Sequence, residues 1–131
     1  MNQARLKNVP FFSSMNEQDL EAVAEQTEEL RVEAGTVLAR EGELGERFFV
    51  IEEGTAEVTR AGSRVAALSA GDFFGEIALL REERRIATVT ATSPMVLIVM
   101  SGRSFRSLDS SRPEIRETVS KALAERPSPV S

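Results

Sequence analysis

The chain changes its hydrophobic period twice. Between Asn16 and Gln26 the apolar residues Leu20, Val23 and Ala24 share one face of a 3.6-residue repeat, preceded by the cap-type residue Asn16 and the acids Glu17 and Asp19. This spacing predicts a short amphipathic helix packed on the domain, with Phe11 and Phe12 beside it. After Glu29 the period falls to two. Glu29–Glu33, Thr36–Arg40, Arg47–Glu52, Thr55–Arg60 and Arg64–Leu68 read as short strands, punctuated by Ala34-Gly35, Glu41-Gly42-Glu43-Leu44-Gly45 and Ala61-Gly62-Ser63. Ala87, Val89 and Ala91 alternate with Thr88, Thr90 and Thr92, the pattern of a strand with one face on a core. Met95–Met100 is continuously apolar and suits a central strand buried on both faces, although period alone leaves a helix open.

Beyond Ser101 the helical period returns. Phe105 and Leu108 fall on one face of a short helix, and Ser111-Arg112-Pro113-Glu114 has capping-box spacing with proline in the first turn. Ile115, Val119, Ala122 and Leu123 then form one apolar stripe on a helix predicted from Ser111 to Glu125. Arg126-Pro127-Ser128-Pro129-Val130-Ser131 extends it poorly and reads as a linker or tail. Many short strands with frequent turn signals predict a mainly β sandwich or barrel, flanked by an N-terminal helix and C-terminal helices. With 131 residues the expectation is a single domain over 1–126 and a tail over 127–131.

Composition narrows the chemistry. Hydrophobic residues make up 41% and there are 8 glycines, which is ordinary for a folded domain. A net charge of −5 opposes an electrostatic footprint on nucleic acid or an anionic membrane surface. No run approaches the ~18 uninterrupted apolar residues of a membrane span, and the amino end lacks a leader pattern, so a soluble, cytoplasmic protein without direct membrane insertion is expected. Cysteine and histidine are both absent, which removes disulfides, zinc-thiolate and histidine-ligated metal sites, cysteine nucleophiles and the commonest general base. An enzyme would have to work with carboxylates, Lys or Arg alone.

Candidate chemistry concentrates in Phe73–Val89, FFGEIALLREERRIATV. Gly75 permits a close backbone approach, and the run from Gly75 to Leu80 offers the unpaired N–H groups of a helix start, which favour an anion. Arg85 carries a planar fork of donors suited to two phosphate oxygens, whereas Glu76 can only accept hydrogen bonds and so suits sugar hydroxyls. The mixture of Arg81, Glu82, Glu83 and Arg84 is ordinary for a solvated hairpin tip. The pairs Phe11-Phe12, Phe48-Phe49 and Phe73-Phe74 could stack on a base, but core packing is the simpler assignment, with one member of each strand pair entering a given core.

These residues resemble a known family. F-G-E-I-A-L-L, six residues from Arg81 to Ile86, then A-T-V is similar to the phosphate-binding cassette of cyclic nucleotide-binding domains. Asn8-Val9-Pro10-Phe11-Phe12 looks like the family's leading helix, and the run from Gly42 to Gly54, GELGERFFVIEEG, like its glycine-punctuated hairpin. The resemblance implies an antiparallel jelly-roll β-barrel of the cAMP receptor type, prokaryotic-looking and stand-alone or excised, that binds a cyclic nucleotide as its ligand, needs no cofactor or metal, has no catalytic residues and is not an enzyme. It implies that Arg85 and the backbone N–H groups of Ala78, Ile86 and Ala87 take the cyclic phosphate, while Glu76 with the backbone of Gly75 and Ile77 holds the ribose 2′-hydroxyl.

Base recognition is less fully specified. Ile86 stands where guanine-preferring members carry threonine, which points to cAMP, with cGMP as the alternative. Val58 and Val65 are candidates for lining the base side. Without Trp or Tyr, a lid over the base would come from Ile115, Val119 or Leu123. Occupancy would be relayed by the C-terminal helix to an effector domain or a homodimer partner. Two other readings stay open: a nucleotide-free docking domain, and the sensor half of a larger cAMP-controlled transcription regulator, channel or acyltransferase.

Overall fold

Two four-stranded antiparallel sheets face each other, and helices cover the outer side of one of them. A computed structural model describes residues 3–9, 12–75 and 84–124. The chain runs through helix α1 (Gln3–Lys7) and helix α2 (Glu17–Glu25), then strands β1 (Glu28–Val32), β2 (Val37–Ala39), β3 (Arg47–Glu53), β4 (Ala56–Arg60), β5 (Ser63–Leu68), β6 (Phe73–Phe74), β7 (Thr88–Ala91) and β8 (Met95–Ser101). Helices α3 (Gly102–Ser111) and α4 (Pro113–Ala124) follow. The first sheet has the order β1-β8-β3-β6 and the second β2-β7-β4-β5. The expected jelly roll is thus present as a double sheet with distinct edge strands rather than as one closed hydrogen-bonded ring.

The period-two alternation explains how two cores share one sheet. In β3, Phe49 and Ile51 point into the space between the sheets, where Phe74 of β6 and Leu97 of β8 meet Val58, Ala87 and Val89 of the second sheet and its approach. Phe48 and Val50 point the other way, with Phe73, Ile98 and Met100, and are covered by Leu6, Leu20 and Val23 from the first two helices and Phe105, Leu108 and Ile115 from the last two. The continuously apolar run at 95–100 is therefore a central strand buried on both faces, paired with β1 on one side and β3 on the other. The phenylalanine pairs divide as alternation requires. Phe49 stacks on Phe74 with centroids 4.7 Å apart, and Phe48 meets Phe73 at 5.8 Å in a tilted contact. Each large apolar side chain so enclosed contributes about 1.5–3 kcal/mol relative to exposure.

Caps and ion pairs then fix the helices. Asn16 Oδ1 accepts from the Asp19 N–H at 2.8 Å and starts α2 where the sequence places it. Ser101 does the same for α3 through Ser104 at 3.0 Å. Arg5 of α1 reaches Glu29 of β1 and Glu52 of β3, and Arg31 also donates to Glu29 at 2.8 Å. Arg112, at the joint of α3 and α4, pairs with the buried Asp19 of α2 at 3.2 Å.

Three expectations need correction. Ser111 is the last residue of α3, and Arg112 caps that helix by donating its N–H to Leu108, so S-R-P-E is not a capping box; Pro113 does open α4. The leading helix lies at Gln3–Lys7, ahead of the Asn8–Phe12 run, which supplies the buried Val9 and Phe12. Thr36–Arg40 shortens to Val37–Ala39, because Thr36 is held in a turn by its N–H and hydroxyl bonds to the Glu33 carbonyl at 3.2 and 2.7 Å. The expected tail at 127–131, like Phe11, lies outside the described residues.

Candidate functional site

The site is assembled where the connection between β2 and β3 meets the approach to β7. The Gly42 N–H donates to the Arg85 carbonyl at 2.9 Å and the Arg85 N–H to the Glu43 carbonyl at 2.7 Å, while Leu44 and Arg84 form an antiparallel bridge. Just beyond, the Glu41 N–H donates to Thr88 Oγ1 at 3.0 Å. Arg84, read as part of a solvated tip, is exposed but donates from Nη1 to the Gly42 carbonyl at 2.7 Å, so it ties the segment to the hairpin. Arg81 lies outside the described residues.

This short ladder aims the side chain of Arg85 inward. Arg85 is 8% exposed and is the one buried arginine among the described residues. Its Nη2 donates to the Arg47 carbonyl at 2.8 Å. That carbonyl is itself well placed, because Arg47 opens β3 and its guanidinium carbon lies 5.1 Å from the centroid of Phe49, the ring stacked on Phe74. A buried guanidinium must be hydrogen-bonded to be tolerated, and its fork matches a carboxylate or phosphate better than a point charge does. The site therefore suits a small anion.

Gly75 shares this space. Its φ of +79° is a left-handed conformation that glycine adopts without strain, and a Cβ there would stand 2.6 Å from both the Arg47 carbonyl oxygen and Arg85 Nη1. Gly75 and Arg85 are thus neighbours, with Ile86 half-buried and Ala87 fully buried in the inner core directly after the arginine. Glu76, Ile77 and Ala78 lie outside the described residues. A cavity of about 250 Å³ opens beside Arg85, bounded by Leu38, Ala39 and Leu44, by Arg40 and Arg47, and by the acids Glu43 and Glu46. A larger hollow of about 400 Å³, near Thr55, Arg64 and Thr92, lies at the β4–β5 side of the second sheet and does not include Arg85.

The base-side candidates fare differently. Val58 is buried between the sheets, but Val65 is the extra residue of a β-bulge in β5 and is 52% exposed. Ile115 lies in the helical core with Leu6 and Phe105; the side chains of Val119 and Leu123 lie outside those described. Sequence reasoning passed over Gly45 and the Arg47 carbonyl. Gly45 stands among the turn residues at 41–45, where a glycine is ordinary, and no linear spacing says which distant group approaches it.

Comparison with known proteins decides the class. The profile of the cyclic nucleotide-binding domain matches residues 29–112. The chain belongs to this family. The family is one of cyclic nucleotide-binding regulatory domains, generally non-catalytic, and the segment from β1 to the α3–α4 joint is the part that carries it. The cAMP-dependent protein kinase regulatory subunit of Yarrowia lipolytica is 39% identical over 105 residues, covering 79% of this chain and 28% of that protein. A cyclic nucleotide-gated potassium channel of Rhizobium etli is 38% identical over 118 residues, covering 90% and 33%. The chain thus spans roughly a third or less of the length of these relatives.

Solved structures agree on the architecture. The regulatory domain of Toxoplasma gondii PKA, crystallised with cAMP, superposes with a TM-score of 0.79 at 31% identity, over 95% of this chain and 49% of that one. A Geobacter metallireducens protein superposes with a TM-score of 0.86 over 95% and 93% of the two chains; at 22% identity it speaks for the fold alone. No described helix is long and apolar enough to cross a membrane.

Proposed function

We propose that this cyclic nucleotide-binding domain binds cAMP reversibly, in preference to cGMP, and relays occupancy through α4. The observation that carries the reading is the buried Arg85, oriented by the Arg47 carbonyl and pressed against Gly75. In this reading Arg85 and the N–H groups of Ala78, Ile86 and Ala87 hold the cyclic phosphate. Glu76 and the backbone of Gly75 and Ile77 hold the ribose. Such a site performs no bond chemistry; it converts nucleotide concentration into occupancy.

The preference for cAMP rests on Ile86, whose side chain has no hydroxyl to offer a guanine. Relatives named for cAMP support it. A cGMP-dependent protein kinase of Eimeria tenella, 40% identical over 90 residues, shows why it must be measured. Calorimetric titration of the purified chain with cAMP and cGMP in parallel is the test. The expected result is saturable binding with cAMP the tighter ligand. Equal or tighter cGMP binding would overturn the base assignment, and no heat with either nucleotide plus an unchanged melting temperature would favour a nucleotide-free docking domain.

The relay needs two states with different affinity for the ligand. The joint before α4 is held by the Arg112–Asp19 pair and by Ile115 in the helical core, so a shift of α4 has to carry or release those contacts. Saturation with cAMP is expected to change hydrogen exchange in α4, within the ~1–3 kcal/mol typical of allosteric coupling. Unchanged exchange would remove α4 from the relay. The output would lie in an effector such as the regulator, channel or acyltransferase considered above, or in a second copy of the chain.

A further inference from the structure

Gly45 is buried in the connection between β2 and β3, and it is not among the glycines with positive φ. Nothing in its own backbone conformation calls for glycine. Gly35, Gly42 and Gly62 are the reverse case: each has a positive φ and nothing within 4 Å of where a Cβ would stand. At Gly45 the space itself is taken. A Cβ there would lie 2.5 Å from Arg85 Nε, 2.7 Å from Cζ and 2.9 Å from Cδ. Favourable contacts between such atoms begin near ~3.5 Å, so a methyl group and the guanidinium cannot both occupy this volume.

We infer that Gly45 is a positioning residue for the anion site: its missing side chain is the slot in which the Arg85 guanidinium lies. The inference rests on the cyclic nucleotide reading above and deepens it. Gly45 borders the Nε–Cζ side of the guanidinium, Gly75 borders Nη1, and the Arg47 carbonyl accepts a hydrogen bond from Nη2. Together they hold the fork in one orientation before any ligand arrives, so its rotamer freedom is not lost on binding. A side chain at 45 would push the guanidinium out of the slot and away from the Arg47 carbonyl. Gly45 is also a cleaner probe than Gly75, because alanine at 75 would strain the backbone as well as clash.

The test compares the parent chain with Gly45→Ala, Arg85→Ala and the double variant. Three readouts are taken: the cAMP dissociation constant, the ligand-free melting temperature, and the Arg85 Nε–H resonance in ¹⁵N-edited spectra, assigned by its loss in Arg85→Ala. Gly45→Ala is expected to weaken cAMP binding about tenfold or more and to shift or broaden that resonance. In the Arg85→Ala background the same substitution is expected to change affinity by less than about twofold and to leave the melting temperature nearly unmoved. Should Gly45→Ala fail to fold alone yet fold in the Arg85→Ala background, the steric assignment stands. Equal losses in both backgrounds, unfolding in both, or parent-like affinity with an unmoved resonance would each overturn it. If the parent binds neither cAMP nor cGMP, the proposed ligand is wrong, and the resonance still decides the role of Gly45: a shift supports it and no change sinks it.

Discussion

Replacing Arg85 with alanine is expected to weaken cAMP binding by about 2–5 kcal/mol, or roughly thirty-fold to several thousand-fold in a titration, because a desolvated phosphate loses its charge partner. Arg85→Lys keeps the charge but not the fork, and it should recover only part of that loss. Parent-like binding by Arg85→Ala would disprove the assignment. Arg85 was legible in the sequence because cassette spacing singles it out from Arg81 and Arg84. Its surroundings were not, since the Arg47 carbonyl and Gly45 reach it through a fold in which residues 38 to 40 positions apart become neighbours. Arg84 carried no distinguishing mark, and its bond to the Gly42 carbonyl follows from that same closure.

At the level of elements, legibility followed length and period. The strands of five to seven residues stood out because alternation needs several repeats to show, and the apolar run at 95–100 matched a strand buried on both faces. Helix α1, with five residues, and strand β6, with two, are too short to display a period. The S-R-P-E pattern misled because it straddles a joint between two helices, and tertiary packing decides where one ends. Two substitutions gauge these elements. Asn16→Ala removes the α2 cap and is expected to cost about 1 kcal/mol in chemical denaturation. Phe49→Ala empties the stacked pair between the sheets and should cost about 3–5 kcal/mol. A loss below about 1 kcal/mol for Phe49→Ala would mean that the inner core is less tightly packed than described.

Across the whole molecule, the helices are fastened to the sheets by charge as well as by apolar contact. Hydrogen bonds from Arg31 and then Arg5 hold the Glu29 carboxyl below its usual range. A carboxylate lowered in this way stabilises the fold at pH above its unfolded value, and the contribution disappears as pH falls through the folded value. Melting temperature should therefore drop on the acid side of the ordinary glutamate range, less steeply in Glu29→Gln, and the difference should shrink in high salt because the cluster faces solvent. An identical acid slope in the variant would remove Glu29 from the balance. The topology has a different consequence, one of timing. Glu28 of β1 pairs with Val99 of β8, and β3 borders the same strand, so the first sheet has no centre until the last strand exists. A chain stopped at Pro94 is expected to show no cooperative melting, whereas one reaching Ala124 should fold, on the millisecond-to-second scale of all-β topologies. During synthesis the two-faced apolar strand β3 leaves the ribosome before β8, so a nascent chain stopped at Pro94 is expected to be retained by a holding chaperone that does not retain the chain reaching Ala124.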